Sequence, residues 1–508
     1  MARVEFEYST HTKTKPAYRS GNTRSMRILV LGDFSGRDNR GMAETGGGLA
    51  ERPVAPLDVD NFEDTLFRFA PRLHLPAGSA DGPGMAIEFK RLEDFHPDEL
   101  FERLELFREL RQRRERLLDP ATFEQTAGEL KRWAGGRPGT GEDPSPTTSA
   151  EDDSGTLERL LGRRPADLSH QGPTPAQRLD LDGIIRRIVE PYIVSGTDPQ
   201  QGQFVSALDT GITDQMRKLL HEPAFQELEA AWRSAHGLVT NVETGEELKL
   251  YLLDVSKQEL SADLEGAVDP TDCGLFRAVV DRSVRTPGGQ PWSVLLGNYT
   301  FGPSAGDLAL LDRLGQVASR AGGSFIAAAD PAILGCELAT QGDDPKSWHA
   351  NDDDATRWQA LRKSRSAAWL GLVVPRLLLR LPYGKAGEEI ERFEFEELAP
   401  RPDHDSFLWG NGAFGCVRLI AQAFQQRGWS MEPGDHLDVH DLPAYVFDDG
   451  GERKLKPCAE VLLSERAGLE MLSRGLMPLL SYRDRNAVRL LRFQSVAQPP
   501  SGIAGPWA

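Results

Sequence analysis

Between Gly135 and Ser154 the chain reads GGRPGTGEDPSPTTSAEDDS, a run of Gly, Pro, Ser, Thr and acidic residues with no large apolar side chain. Such a stretch buries too little surface to offset the entropy of ordering its backbone, so it reads as a flexible linker. It rules out a core that runs continuously along the chain. At 508 residues there is sequence enough for two or more domains. The expectation is one domain over residues 1–134, a linker over 135–180 and a larger domain over 181–508. Within the linker, TLERLLGRR (Thr156–Arg164) is amphipathic, with Leu157, Leu160 and Leu161 on one face, but too short to hold a helix alone.

The flanks alternate between strand and helix signals. VEFEY (Val4–Tyr8) has Val4, Phe6 and Tyr8 on one face and Glu5 and Glu7 on the other, the period of a strand. MRILVLGDF predicts a fully apolar strand, and Met85–Phe89 a third. Asp94 precedes a helix opening at Pro97, with Asp98 and Glu99 in its first turn, where the helix dipole favours carboxylates. That helix is expected to continue through LFERLELFRELRQRRERLL, with Leu100, Leu104, Phe107, Leu110 and Leu117 as its apolar stripe. The larger region opens helical with one break at Pro223, followed by Phe225, Leu228 and Trp232 at i, i+3, i+7. ELKLYLLDV, PWSVLLGNYTF and GSFIAAAD read as strands, WLGLVVPRLLLRLPYG as a long apolar stretch, and AGDLALLDRLGQVASRA as an intervening helix. Strands alternating with helices predict an α/β fold, mixed α+β in detail, with helices packed on mixed sheets.

Charge and composition narrow the function classes. The chain carries a formal net charge of −18 and no basic run of the kind that grips nucleic acid or anionic lipid. No leader pattern opens it, and no apolar run approaches the roughly 18 residues a membrane span needs, so a cytoplasmic protein is expected. Cys273, Cys336, Cys416 and Cys458 form no C-x-x-C pair and read as buried thiols in a reducing compartment.

Several motifs carry possible chemistry. RILVLGDFSGR delivers Gly32 and Gly36 after an apolar strand, yet lacks the Lys-Ser/Thr of a phosphate loop. The simpler reading is a turn in which Asp33 and Ser35 bond local backbone. LWGNGAFG places Gly410, Gly412 and Gly415 in a G-x-G-x-x-G pattern before a helix, with Asp435 farther on, as in a dinucleotide-binding fingerprint. The preceding RPDHDSFLW is a poor buried strand, but an NAD-dependent oxidoreductase stays open as an alternative. His436 and His440 lack the Glu of a zinc-protease helix. The acids of WHANDDDATRW lack the spacing of a calcium loop and read as a solvated loop. His221, at the helix break, reads as structural. No catalytic, cofactor or metal constellation is demanded, and a non-enzyme is expected.

Taken together, the segments resemble the contractile sheath of the bacterial type VI secretion apparatus. Residues Arg27 to Leu118 resemble its small subunit through RILVLGDFSGR, DVDNFEDTL and EFKRLEDFHPDEL. Residues Leu181 to Val496 resemble its large subunit through LHEPAFQELEAAWRS, LLDVSKQEL, GGQPWSVLLGNYTF, FIAAADPAILG, GLVVPRLLLRLPYG, FEFEE and FLWGNGAFG. The two would be fused in one chain.

The resemblance implies a structural subunit that polymerises into a helical tube around an inner tube. Its partners would be further copies of itself, an inner-tube protein, baseplate components that dock the assembly at the inner membrane, and an AAA+ ATPase that recycles it. Val4, Phe6 and Tyr8 correspond to a strand donated between protomers, and Leu157, Leu160 and Leu161 to the helix the ATPase takes. In the family the large subunit continues well past LLRFQSVAQPP, whereas this chain stops at Ala508, which raises a non-contractile, sheath-derived scaffold or baseplate-like piece as the other alternative. The Gly410–Gly415 segment then belongs to a family pattern with no nucleotide role.

Overall fold

Met26–Gly32 (β1) sets the architecture, because Ile28 to Leu31 are all buried and the strand must be covered on both faces and both sides. The computed structural model describes residues 24–76, 84–134, 181–193, 201–338, 344–399, 402, 404–449, 451–483 and 485–507. They gather into two compact units. One takes the described chain up to Phe69, Leu228–Leu381 and Leu408 onward; the other takes Ala70–Glu227 and Pro382–Phe407.

The first unit is built on a nine-stranded sheet. Its strands in chain order are β1, Ala55–Leu57 (β2), Leu248–Asp254 (β3), Val294–Phe301 (β4), Ser324–Ala329 (β5), Leu370–Val374 (β6), Asp438–Val439 (β7), Met477–Ser481 (β8) and Val488–Leu490 (β9). The spatial order is β7-β9-β8-β6-β5-β4-β1-β3-β2. The interior from β3 to β8 is parallel, and β2, β9 and β7 add antiparallel at the two margins. Every residue of β5 and β6 is buried, as the interior of a parallel sheet covered on both faces requires. Helices Ala305–Ala321 and Ala413–Arg427 pack against these strands. The core joins Leu29, Leu31, Leu253, Trp292, Leu295, Phe301 and Phe325.

This division differs from the split into 1–134 and 181–508. β1 pairs Met26 to Gly32 with Leu248 to Asp254 on one side and Ile28 to Leu31 with Val294 to Gly297 on the other. An apolar strand with no helix-covered parallel partners nearby in sequence takes them from more than two hundred residues away. The residues of the 1–134 stretch that follow Phe69 join the second unit.

That second unit opens with an antiparallel hairpin, Arg72–Pro76 with Gly84–Glu88. Phe89 stacks on Phe95 at 4.0 Å, and Phe225 meets both rings edge-on. Helices Glu105–Leu118, Phe123–Ala134, Leu181–Val189 and Gln201–Leu220 form a bundle. Arg114 clasps Asp209 through Nε at 2.6 Å, and Arg113 pairs with Asp182.

Several local expectations need correction. The helix from Pro97 stops at Arg103 and a new one begins at Glu105, because Leu104 is extended (φ −74°, ψ 130°) with its side chain in the core. Leu100, Leu104, Phe107, Leu110 and Leu117 are nevertheless all buried. His96 caps that first helix, its Nδ1 accepting from the Asp98 amide at 3.2 Å. Asp94, just before it, accepts from the Lys90 and Arg91 amides. The acids of WHANDDDATRW form no loop. Asp352, Asp353 and Asp354 fill the first turn of helix Asp352–Arg362, capped by Asn351, whose Oδ1 accepts from the Asp353 amide at 2.8 Å. Pro223 breaks the long helix as expected and starts helix Pro223–Asn241.

Candidate assembly interface

Val4, Phe6 and Tyr8, and Leu157, Leu160 and Leu161, lie outside the described residues. The structure does define the point from which the first of these segments departs. The Arg24 carbonyl accepts from Trp429 Nε1 at 2.5 Å, and Ser25 Oγ lies 2.9 Å from Gln290 Oε1. Arg27 lays its guanidinium 4.0 Å over the Trp292 ring. Arg24, Ser25 and Arg27 are thereby anchored to the first unit.

The GDFSGR turn at the end of β1 is held by a carboxylate of the neighbouring strand. Asp254, the last residue of β3, accepts from the Phe34 amide at 2.8 Å, the Ser35 amide at 3.2 Å and the Ser35 hydroxyl at 2.7 Å. Burial pushes the Asp254 carboxyl up to about 6, against the opposing pull of these donors. Asp33 holds local backbone as expected, accepting from Arg37 and Asp38 amides. Ser35 does not, because its hydroxyl is taken by Asp254. Trp232 donates its indole N–H to the Phe34 carbonyl at 2.8 Å and meets the Phe34 ring edge-on at 5.2 Å. The stretch that opens RILVLGDFSGR turns a corner and is locked to distant chain.

A second carboxylate completes the lock. Ser256 and Glu259 form a capping box on helix Lys257–Glu265, with the Glu259 amide 3.1 Å from Ser256 Oγ and the Ser256 amide 2.9 Å from Glu259 Oε2. The fully buried Glu259 carboxylate also receives Arg37 Nε at 2.9 Å and Arg52 NH2 at 2.9 Å, with the Glu44 amide at 3.0 Å. Burial alone would raise this carboxyl, but Arg52, Arg37 and the Ser256 and Glu44 amides outweigh it and hold it down at about 2. Asp263, one turn on, accepts from the amides of Gly46, Gly274 and Leu275. The chain from Gly32 to Arg52 is thereby fastened to the chain from Asp254 to Leu275.

The sheet margins offer little free backbone. β2 pairs three residues with β3, and Pro56 at its centre has no N–H to donate. β7, at the opposite margin, is two residues long. Beside β2 a groove of about 780 Å³ opens between Pro56–Asp60 and Val239–Gly245. Val59, on its wall, is 57% exposed, and Phe67, in the following helix Phe62–Phe69, is 61% exposed.

The remaining sequence candidates are placed as follows. A methyl group on Gly410 would lie 2.6 Å from the Leu379 side chain, and one on Gly412 2.6 Å from the Pro375 carbonyl oxygen. One on Gly415 would lie 3.2 Å from Leu377. These glycines admit neighbouring chain, not a pyrophosphate, and Trp409–Gly410 is a two-residue antiparallel strand rather than the parallel strand of a dinucleotide fold. Asp435 accepts from the Glu432 amide and pairs with Arg427. His221 Nε2 sits 3.6 Å from the buried Glu397 carboxylate, a structural setting. All four cysteines are buried. Among the described residues no helix is long and apolar enough to cross a membrane.

Sequence comparisons supply the context for this geometry. The tail sheath N-terminal domain family VipB (EvpB) matches residues 202–497. The chain belongs to the VipB tail sheath family. The type VI secretion system family VipA matches residues 1–129 of the same chain. The type VI secretion system sheath protein TssC1 of Pseudomonas aeruginosa is 33% identical over 308 residues, which is 58% of this chain and 61% of that protein. The chain thus spans less than two-thirds of the length of this relative. β1 and β2, inside the VipA match, stand in one sheet with seven strands from the VipB match, so the lock between Arg37, Arg52 and Glu259 joins the two family regions.

Proposed function

We propose that this chain is the structural subunit of a contractile type VI secretion sheath, with small-subunit-like and large-subunit-like sequence in one polypeptide. The observation that carries the reading is the insertion of β1 between β3 and β4, with its turn held by Asp254 and Glu259. A single chain provides both contributions, so every protomer in a polymer carries them in equal number. Copies joined by interfaces that do not close into a ring form an open helix. Such a tube would surround an inner-tube protein in the bacterial cytoplasm, docked at the inner membrane through baseplate components.

Val4, Phe6 and Tyr8 are proposed as the strand donated to the next protomer, with Arg24–Arg27 as its base. Leu157, Leu160 and Leu161 are proposed as the face an AAA+ ATPase takes after contraction. The test of the reading is sedimentation of the full chain beside a variant lacking Val4–Tyr8. The full chain is expected to pellet as polymer, and the variant to stay in the supernatant with an unchanged far-ultraviolet circular dichroism spectrum. A variant that pellets equally would overturn the donor strand, and a full chain that never pellets would overturn the polymer.

A further inference from the structure

The glycine-rich segment before helix Ala413–Arg427 holds no dinucleotide, but the first turn of that helix borders a cavity of about 220 Å³ in the first unit. Helix Pro223–Asn241, residues Leu377–Leu379 and the loop Val439–Pro443 complete its walls. The volume lies below the range of about 300–1,000 Å³ typical of pockets for drug-sized molecules, so the cavity suits something smaller.

Its polar groups are unusual for a space among packed elements. Ser234 is 4% exposed, lines the cavity, and its hydroxyl has no hydrogen-bond partner among the described residues. Arg418 also lines it, and its Nε is buried with no hydrogen-bond partner among the described residues. A buried hydroxyl and a buried guanidinium N–H left unmade are each costly, and a ligand that accepts from both removes the penalty. Arg233 stands on the same wall, its Nε donating to Glu229 at 2.7 Å, and Glu229 also receives Arg380. Asp441 is the one carboxylate among the described lining residues, and it faces Arg418. Arg418 thus brings a guanidinium to the cavity wall with one N–H still to be accepted. The N-terminal end of helix Ala413–Arg427 adds its partial positive charge on the same side.

Asn411 does not compete for the space. Its Nδ2 donates to the Gly297 and Tyr299 carbonyls and its Oδ1 accepts from the Ala413 amide. We propose that this cavity binds a small free oxyanion, a phosphate or a small carboxylate, held by Arg418 and the Ser234 hydroxyl with Arg233 beside them. Arg418 and Ser234 are the selecting pair: one supplies charge and a directed N–H, the other a hydroxyl that turns to donate. Burial lowers the Arg418 guanidinium from its usual value, and the facing Asp441 only partly offsets this.

The test is thermal unfolding of the full chain titrated with sodium phosphate and, separately, sodium acetate, at constant ionic strength maintained with sodium chloride. A saturable rise in Tm with phosphate, acetate or both is expected, and the stronger of the two identifies the ligand class. Arg418→Gln is expected to weaken the apparent affinity at least tenfold and Ser234→Ala several-fold. Asp441→Asn removes the facing negative charge and is expected to tighten binding several-fold, a gain that a merely structural role would not produce. If Arg418→Gln unfolds, the Ser234→Ala and Asp441→Asn pair decides. No saturable response to either anion, or equal responses in the wild type and all variants, would overturn the site.

Discussion

Asp254 and Glu259 show how two buried carboxylates close in sequence can act with opposite sign. The Asp254 carboxyl is raised by burial to about 6, above the unfolded value of about 3.9. Its contribution to stability is therefore fully present below about pH 4 and lost as pH rises to about 6, with no further change above that. Glu259 is held at about 2, below the unfolded value of about 4.3. Its contribution is present above about pH 4 and lost as pH falls toward 2. Asp254→Asn keeps an acceptor for the Phe34 and Ser35 amides and is expected to remove the pH 4–6 slope while changing stability at pH 7 by less than about 1 kcal/mol. Urea unfolding across that range measures it, and a slope identical to the wild type would contradict the assignment. Glu259→Gln leaves Arg37 and Arg52 without their shared buried anion and is expected to destabilise by about 3 kcal/mol in urea unfolding at pH 7. A loss under about 1 kcal/mol would mean the lock is not structural. The capping box Ser256–Glu259 is readable in SKQE, but that Glu259 also receives two arginines from the start of the chain is not, because nothing local marks a contact across two hundred residues.

Among the elements, the strands were the most legible. The apolar run FIAAA reads as a strand and is one; LGLVV, legible only as part of a long apolar stretch, is its neighbour in the interior of the parallel sheet. Pro223 was legible as a residue whose ring cannot continue a helix. Leu104 was not: no Gly or Pro marks the break, and the residue leaves the helical conformation while its side chain stays in the core. Asp352–Asp354 were misread because three adjacent acids look like solvated loop until Asn351 is recognised as their cap. Gly410 and Gly412 illustrate how one pattern fits two physics, since close approach to a ligand and close approach to neighbouring chain both exclude Cβ. Gly412→Ala is expected to lower stability by about 1–3 kcal/mol through collision with the Pro375 carbonyl, measured by thermal unfolding. A variant as stable as the wild type would show that the space is not tightly filled.

At the scale of the whole molecule, the division of the chain was the least legible feature. The Gly-, Pro- and Ser-rich run Gly135–Ser154 predicts two bodies in sequence order, yet the pairing of β1 with β3 and β4 places early and late chain in one sheet. Sheet order is decided by which apolar faces can cover each other, and composition does not encode that. The family resemblance, by contrast, was legible from short motifs spread along both regions, and the matches over residues 1–129 and 202–497 agree with it. Removing Thr156–Arg164 is expected to leave polymerisation intact while abolishing disassembly by an AAA+ ATPase, followed by light scattering. Unchanged disassembly would remove Leu157, Leu160 and Leu161 from that role.

The proposed function holds that one polypeptide carries both sheath-subunit contributions and polymerises with copies of itself. Negative-stain electron microscopy of the purified chain, alone and with its inner-tube protein, tests it most directly. Long tubes containing this chain as their only sheath component are predicted. Single particles under both conditions, or tubes that form only when a separate small-subunit chain is added, would contradict it.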